Sequence, residues 1–222
     1  MSSSAIQLLV LAGIAIFLIL KLRNVLGTRE GFEKPPAKIG ESSPAASRSR
    51  ANLEVIEGGP DEDIIDHVDE SSAAAKALAA MKRNDPSFRV GEFLQGARGA
   101  YEMILMAFEK GELDPVVPFL SHDVFESFSE VIDQREAQRL TIDANFVGVR
   151  EVSLVGAEFD EVTKTGEVTV KFVGELTSVV KNAAGEVIEG NPNEIKRQKD
   201  VWTFARDMGA NDPNWQLVAT GE

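Results

Sequence analysis

The spacing of apolar positions changes along the chain, and each regime predicts a different structure. From Ala5 to Leu22 the run is continuous, with Gln7 and Lys21 its only polar side chains. As a helix it would reach about 27 Å, near the thickness of a hydrocarbon core, and Lys21 can lift its ammonium to the interface. An export signal, a helix buried in a soluble core and a retained membrane span all begin this way. A cleaved signal carries basic residues before the run and a small-residue site after it. Here Met1 to Ser4 has no charged side chain, while Lys21, Arg23 and Arg29 follow the run. That order favours a transmembrane anchor over residues 1–26, with the buried helix as its rival. The basic flank then places the rest on the cytoplasmic side.

Further on, the apolar set Val90, Phe93, Leu94, Ala97, Tyr101, Ile104, Leu105 and Phe108 falls on one face of a helix. Lys110-Gly111 is a suitable end for it. Asp114-Pro115 predicts an N-cap and a short helical turn to Leu120, and Ser121 predicts the cap of another helix with the stripe Val124, Phe125, Phe128, Val131 and Ile132. Upstream, residues 71–84 read as a separate amphipathic helix that starts at serine, ends on Lys82 and Arg83, and is stopped by Asp85-Pro86.

After about residue 145 the period falls to two. Val168, Val170, Phe172, Leu176 and Val180 alternate with Thr169, Lys171, Glu175, Thr177 and Lys181, which predicts a long half-buried strand. A strand over about Val152 to Val162 precedes it. A third starts near Glu186 and is broken at Asn191-Pro192-Asn193, and the stretches Asp200–Asp207 and Asn214–Thr220 complete the set. Helices followed by an antiparallel meander predict an α+β domain, residues 85–222, with its sheet packed on a helical layer.

Charge sharpens this division. Residues 1–53 hold seven Lys/Arg against three Asp/Glu, and residues 87–222 hold thirteen against twenty-four. A domain so acidic repels phosphate backbones, which argues against nucleic acid as a partner. Residues 27–70 are rich in Gly, Pro, Ser and charge and read as a flexible acidic tether. Its second half, Glu54 to Glu70, has eight acids and no Lys or Arg, and fits either a solvated linker or a docking strip for a basic partner. The chain has no cysteine, which removes thiol nucleophiles and thiolate metal sites.

Candidate chemistry is sparse. Ser121-His122-Asp123 has the residue types of a hydrolase triad, but adjacent side chains cannot adopt that geometry, and capping explains the serine. The loop Gly91 to Gly99 lacks the lysine of a phosphate loop, so close approach of a neighbouring element is the better reason for Gly96 and Gly99. His67 and His122 make no zinc site, and Asp160-Glu161 point to opposite faces of a strand. No catalytic residue, metal ligand or cofactor site is expected.

The run from Asp85 to Phe128 and the ending Asp200 to Glu222, with its Trp-Thr-Phe-x-Arg-Asp strand at Trp202–Asp207, the turn Asp212-Pro213-Asn214 and Trp215, resemble the Tim44-like domain family. Its bacterial members are adaptors of the TimA type, and its mitochondrial namesake is a subunit of the inner-membrane import motor. The resemblance implies a cone-shaped fold related to nuclear transport factor two, with helices on a curved antiparallel sheet, and a protein-binding adaptor role at a membrane. The N-terminal region departs from the mitochondrial pattern, so chaperone recruitment and presequence import are not implied with it. The combined expectation is a single-span protein of the bacterial inner membrane whose domain binds proteins at the cytoplasmic face, with a link to translocation or membrane-complex assembly. The alternative is a cone-fold domain that binds a small molecule or an acyl chain, or acts as an enzyme. Its pocket would be lined by Tyr101, Phe172, Trp202, Phe204 and Trp215; the same rings filling the space instead would leave no pocket. Anionic lipid is a further candidate partner, through Lys76, Leu78, Met81, Lys82 and Arg83 on the helix 71–84.

Overall fold

The computed structural model describes residues 61–221. The expected anchor, its flank Lys21, Arg23 and Arg29, and the tether up to residue 60 lie outside the described residues. Among those described, no helix is long and apolar enough to cross a membrane.

Helices come first in the chain: α1 (Glu62–Ile65), α2 (Ala73–Asn84), α3 (Val90–Lys110), a 3-10 turn (Asp114–Phe119) and α4 (His122–Ala137). The strands β1 (Thr141–Phe159), β2 (Thr165–Lys181), β3 (Val187–Gly190), β4 (Lys196–Asp207) and β5 (Gln216–Gly221) follow. They form one antiparallel sheet in the order β1-β2-β4-β5, with the short β3 extending the β4 side of β2. The fold is α+β, as its sequence order predicts.

Local chemistry sets the helix ends. Ser72 Oγ accepts the Ala75 amide at 3.0 Å to start α2, and Ser121 Oγ accepts that of Val124 at 3.3 Å to start α4. Gly111 ends α3 at φ 75°, a left-handed conformation that costs glycine little. Asp114 takes the first position of the 3-10 turn, one residue inside the expected cap at that site, which Leu113 occupies.

The face of α3 read from its periodicity is the one that packs on the sheet. Val90, Phe93, Ala97, Tyr101, Ile104 and Leu105 are buried against Val168, Val170 and Phe172 of β2, Trp202 and Phe204 of β4, and Leu217 of β5. On the opposite face of the sheet, Thr169 and Thr203 share a 3.0 Å hydrogen bond, and Glu175 pairs with Arg150 and Arg197.

Three expectations need correction. First, β1 begins at Thr141 instead of near Val152. Its first half alternates only through Ile142, Ala144, Phe146 and Gly148, a thin apolar signal, and register shifts around Val147, Arg150 and Val155 break the alternation further. Val147 and Val155 fall at those bulges and stay exposed. Second, a Cβ at Gly96 or Gly99 would meet nothing within 4 Å, so no neighbouring element requires glycine there. Third, the tether does not extend to Glu70. Residues 61–70 contain α1, and Ile64 is buried in the same core as α3. The high charge of this stretch conceals the side chains that anchor it, Ile64 in the core and Val68 packed against it.

Candidate functional site

The rings proposed as a pocket lining come from α3, β2, β4 and the residue before β5, and four of the five are sealed. Tyr101 and Phe172 have no exposed surface, Phe204 has 2% and Trp202 4%. Tyr101 stacks on Phe172 at 4.5 Å between centroids and 11° between planes, with Trp202 at 4.8 Å on another side and Phe204 6.4 Å from Phe172. The space under α3 is therefore filled by side chains, the arrangement in which these rings leave no pocket. Gly174 makes this possible: a Cβ there would come within 2.6 Å of the Tyr101 oxygen.

One polar group is enclosed with the rings. Tyr101 Oη donates to Asp200 Oδ2 at 2.5 Å, and Gln198 Nε2 donates to the other carboxylate oxygen at 3.0 Å. Burial, then the hydrogen bond and charge of Asp200, push the Tyr101 phenol far above its ordinary value. A phenol so placed stays protonated and anchors the sheet to α3. Asp200 escaped the sequence reading, although strand alternation puts it on the face of Trp202 and Phe204.

Trp215 stands apart. It is half-buried just before the sheet's last strand, 4.6 Å from Phe93 and 5.6 Å from Phe88, with the Arg206 guanidinium 5.2 Å from its ring. Arg206 also pairs with Asp85, which follows α2, so this corner ties the helix to β4. The Arg206 Nε is buried without a hydrogen-bond partner.

The residues named as a lipid contact are divided by the fold. Leu78 and Met81 have no exposed surface and face the core, so in this conformation neither can enter a bilayer. Lys82 bridges Asp61 and Asp63, each at 2.7 Å. Lys76 and Arg83 are exposed. Of the neighbouring arginines, Arg98 donates to the Val149 carbonyl at 2.8 Å, satisfying β1 beside a bulge, and Arg89 donates to the carbonyls of Pro86 and Phe88.

Asp63 is the functional-looking residue that no sequence signal reveals. Its carboxylate caps α3 from 27 residues away, accepting the Val90 amide at 2.9 Å and the Gly91 amide at 3.0 Å, besides the Lys82 ammonium. Burial raises its pKa, but Lys82 and the two amides outweigh that and bring it down to about 2. Elsewhere, a hollow of about 580 Å³ at the β1–β2 turn is lined by Glu158, Asp160, Glu161 and Glu167 together with Phe159, Thr163 and Thr165. Among the described residues no group of His, Asp or Glu is arranged to hold a metal ion.

Residues 74–222, from α2 to the end of the sheet, match the Tim44-like domain. The chain belongs to the Tim44-like family. Among curated relatives, the human mitochondrial import inner membrane translocase subunit TIM44 is 27% identical over 202 residues, covering 89% of this chain and 43% of the human protein. Its rat counterpart is 28% identical over 147 residues, covering 65% of this chain and 32% of its own length. This Tim44-like chain thus spans less than half the length of these relatives. Among solved structures, the intermembrane-space region of the chloroplast protein ARC6 aligns with 8% identity and a TM-score of 0.38, over 59% of this chain and 92% of that one, too distant to carry an argument.

Proposed function

We propose that this Tim44-like protein is a non-catalytic adaptor that holds other proteins at a membrane, in a process linked to protein translocation or membrane-complex assembly. The observation that carries the reading is the sealed ring cluster in a domain of this family. Where Tyr101, Phe172, Trp202 and Phe204 fill the space under α3, what remains for recognition is the outer surface. The Tyr101 hydroxyl, engaged by Asp200 and held protonated, is not available as a base or nucleophile. The names of the human and rat relatives, translocase subunits of an inner membrane, support the same direction.

In this proposal residues 5–22 anchor the chain in a bacterial inner membrane, the domain lies on the cytoplasmic side, and the acidic stretch Glu54–Glu70 contributes to partner choice. Anionic lipid remains a secondary partner through Lys76 and Arg83, the two exposed cations of α2. The test is affinity capture of the membrane-extracted full chain after cross-linking in cells, with Glu54, Glu57, Glu62, Asp66 and Glu70 intact or replaced by Gln or Asn, which leaves Ile64 and Asp63 in place. A defined set of protein partners, reduced by the neutral substitutions, is expected. Recovery of no protein above background from either form would contradict the adaptor reading.

A further inference from the structure

We propose that the segment Asp61–Asn84 is a strap, locked over the sheet by Asp63 and able to open while the domain beneath stays folded. This goes beyond the adaptor reading and does not depend on it.

The lock is one carboxylate with three donors. Asp63 takes the amides of Val90 and Gly91 and the ammonium of Lys82, and Lys82 reaches Asp61 as well. Arg89, at the cap position of α3, supplies no side-chain bond to the amides of its first turn, so that turn depends on a residue from the strap. At the strap's other end, Asp85 is held by Arg206. Every one of these links is polar and none is fully buried, the class of contact that opens before a packed core does.

Beneath the lock, α2 fits a notch. A Cβ at Gly166 would come within 3.0 Å of Met81 Sδ and 3.1 Å of Met208 Cγ, so the helix sits as close as glycine allows. Its apolar seam is otherwise small: Leu78 and Met81 are the only large buried side chains of α2, beside Ala75 and Ala80. Opening therefore uncovers a compact apolar face on α2, while the stacked rings of Tyr101 and Phe172 keep α3 on the sheet. With its carboxyl near pH 2, Asp63 stays ionised across ordinary pH, so the lock does not respond to mild acid. Asp61 and Asp63 stand at the first end of the strap, and Asp85 closes its other end.

Hydrogen exchange followed by mass spectrometry on the full chain in detergent, with Asp63→Ala, Lys82→Met and the double variant, tests this. Amides of residues 73–84 and 90–93 should exchange at least about fivefold faster in Asp63→Ala, the effect of losing one helix cap, while residues 168–172 and 200–204 keep their wild-type rates. Lys82→Met should act in the same direction and add little on top of Asp63→Ala, since both break one lock. Unchanged rates in α2 would overturn the proposal. So would equal acceleration across strap and sheet, which is unfolding of the whole domain, or fully additive effects of the two substitutions.

Discussion

At Tyr101 the helical layer meets the sheet ring against ring, with one hydrogen bond enclosed among them. At Asp63 it meets the neighbouring turn through a carboxylate, an ammonium and two amides, partly buried at the edge of the core. The first junction draws its stability from area removed from water and from shape, which salt and competing ligands hardly touch. Polar links of the second kind are individually weak and exchangeable. A domain that combines the two can keep one part permanently shut and leave another responsive. The same contrast separates the two functions weighed for the sequence: a ligand binder needs the centre to be open, whereas an adaptor needs only its surface.

Substitutions graded by size should expose that contrast. Trp202→Ala removes a ring that is 4% exposed and should lower unfolding stability by about 3 to 5 kcal/mol, measured by urea titration. Gly174→Ala places a methyl 2.6 Å from the Tyr101 oxygen and should cost about 1 to 3 kcal/mol by overpacking. If its midpoint matched wild type, Tyr101 would not be held as tightly as described. Asp63→Ala should cost only about 1 kcal/mol, the worth of a cap.

The pH dependences differ in sign between two of the carboxyls. Asp63 is lowered from an ordinary 3.8 to about 2. Its contribution is therefore complete above the ordinary value and disappears as pH falls through about 2. Glu109, near Arg135, Ser178 and Lys196, is raised by burial against the pull of those neighbours. Ionising it disfavours folding, so its effect is absent at acid pH and grows as pH rises through the raised value. Glu109→Gln should then raise stability at neutral pH by less than about 1 kcal/mol and leave the acid limb of a melting-temperature profile unchanged. The smallest effect is expected at Gly96→Ala, where open space and a helical backbone predict a gain of no more than about 1 kcal/mol.

How much of this was legible in the sequence follows from the range of the interactions concerned. The α3 stripe, Gly111, Ser121 and the alternation from Val168 to Val180 are local periodicities and caps, and they name their elements directly. The early start of β1 was hidden because bulges at Val147 and Val155 interrupt alternation, which a period-two reading takes for the end of a strand. Tyr101, Phe172 and Trp202 could be marked as facing one space, but whether they fill it depends on Gly174 and on ring orientations set by three elements. Asp63 could not be found at all: a cap supplied across 27 intervening positions leaves no pattern in its own neighbourhood. Leu78 and Met81 illustrate the converse, since an amphipathic helix looks the same in sequence whether its apolar face meets lipid or a sheet.

The central claim is that the domain acts through its surface because its interior is closed. Native mass spectrometry of the full chain released from membranes in mild detergent tests it most directly. The account predicts species at the mass of the polypeptide alone or with protein partners, and the same for Trp202→Phe. A small molecule or acyl chain retained by the wild-type chain at fixed stoichiometry, and lost in Trp202→Phe, would contradict it.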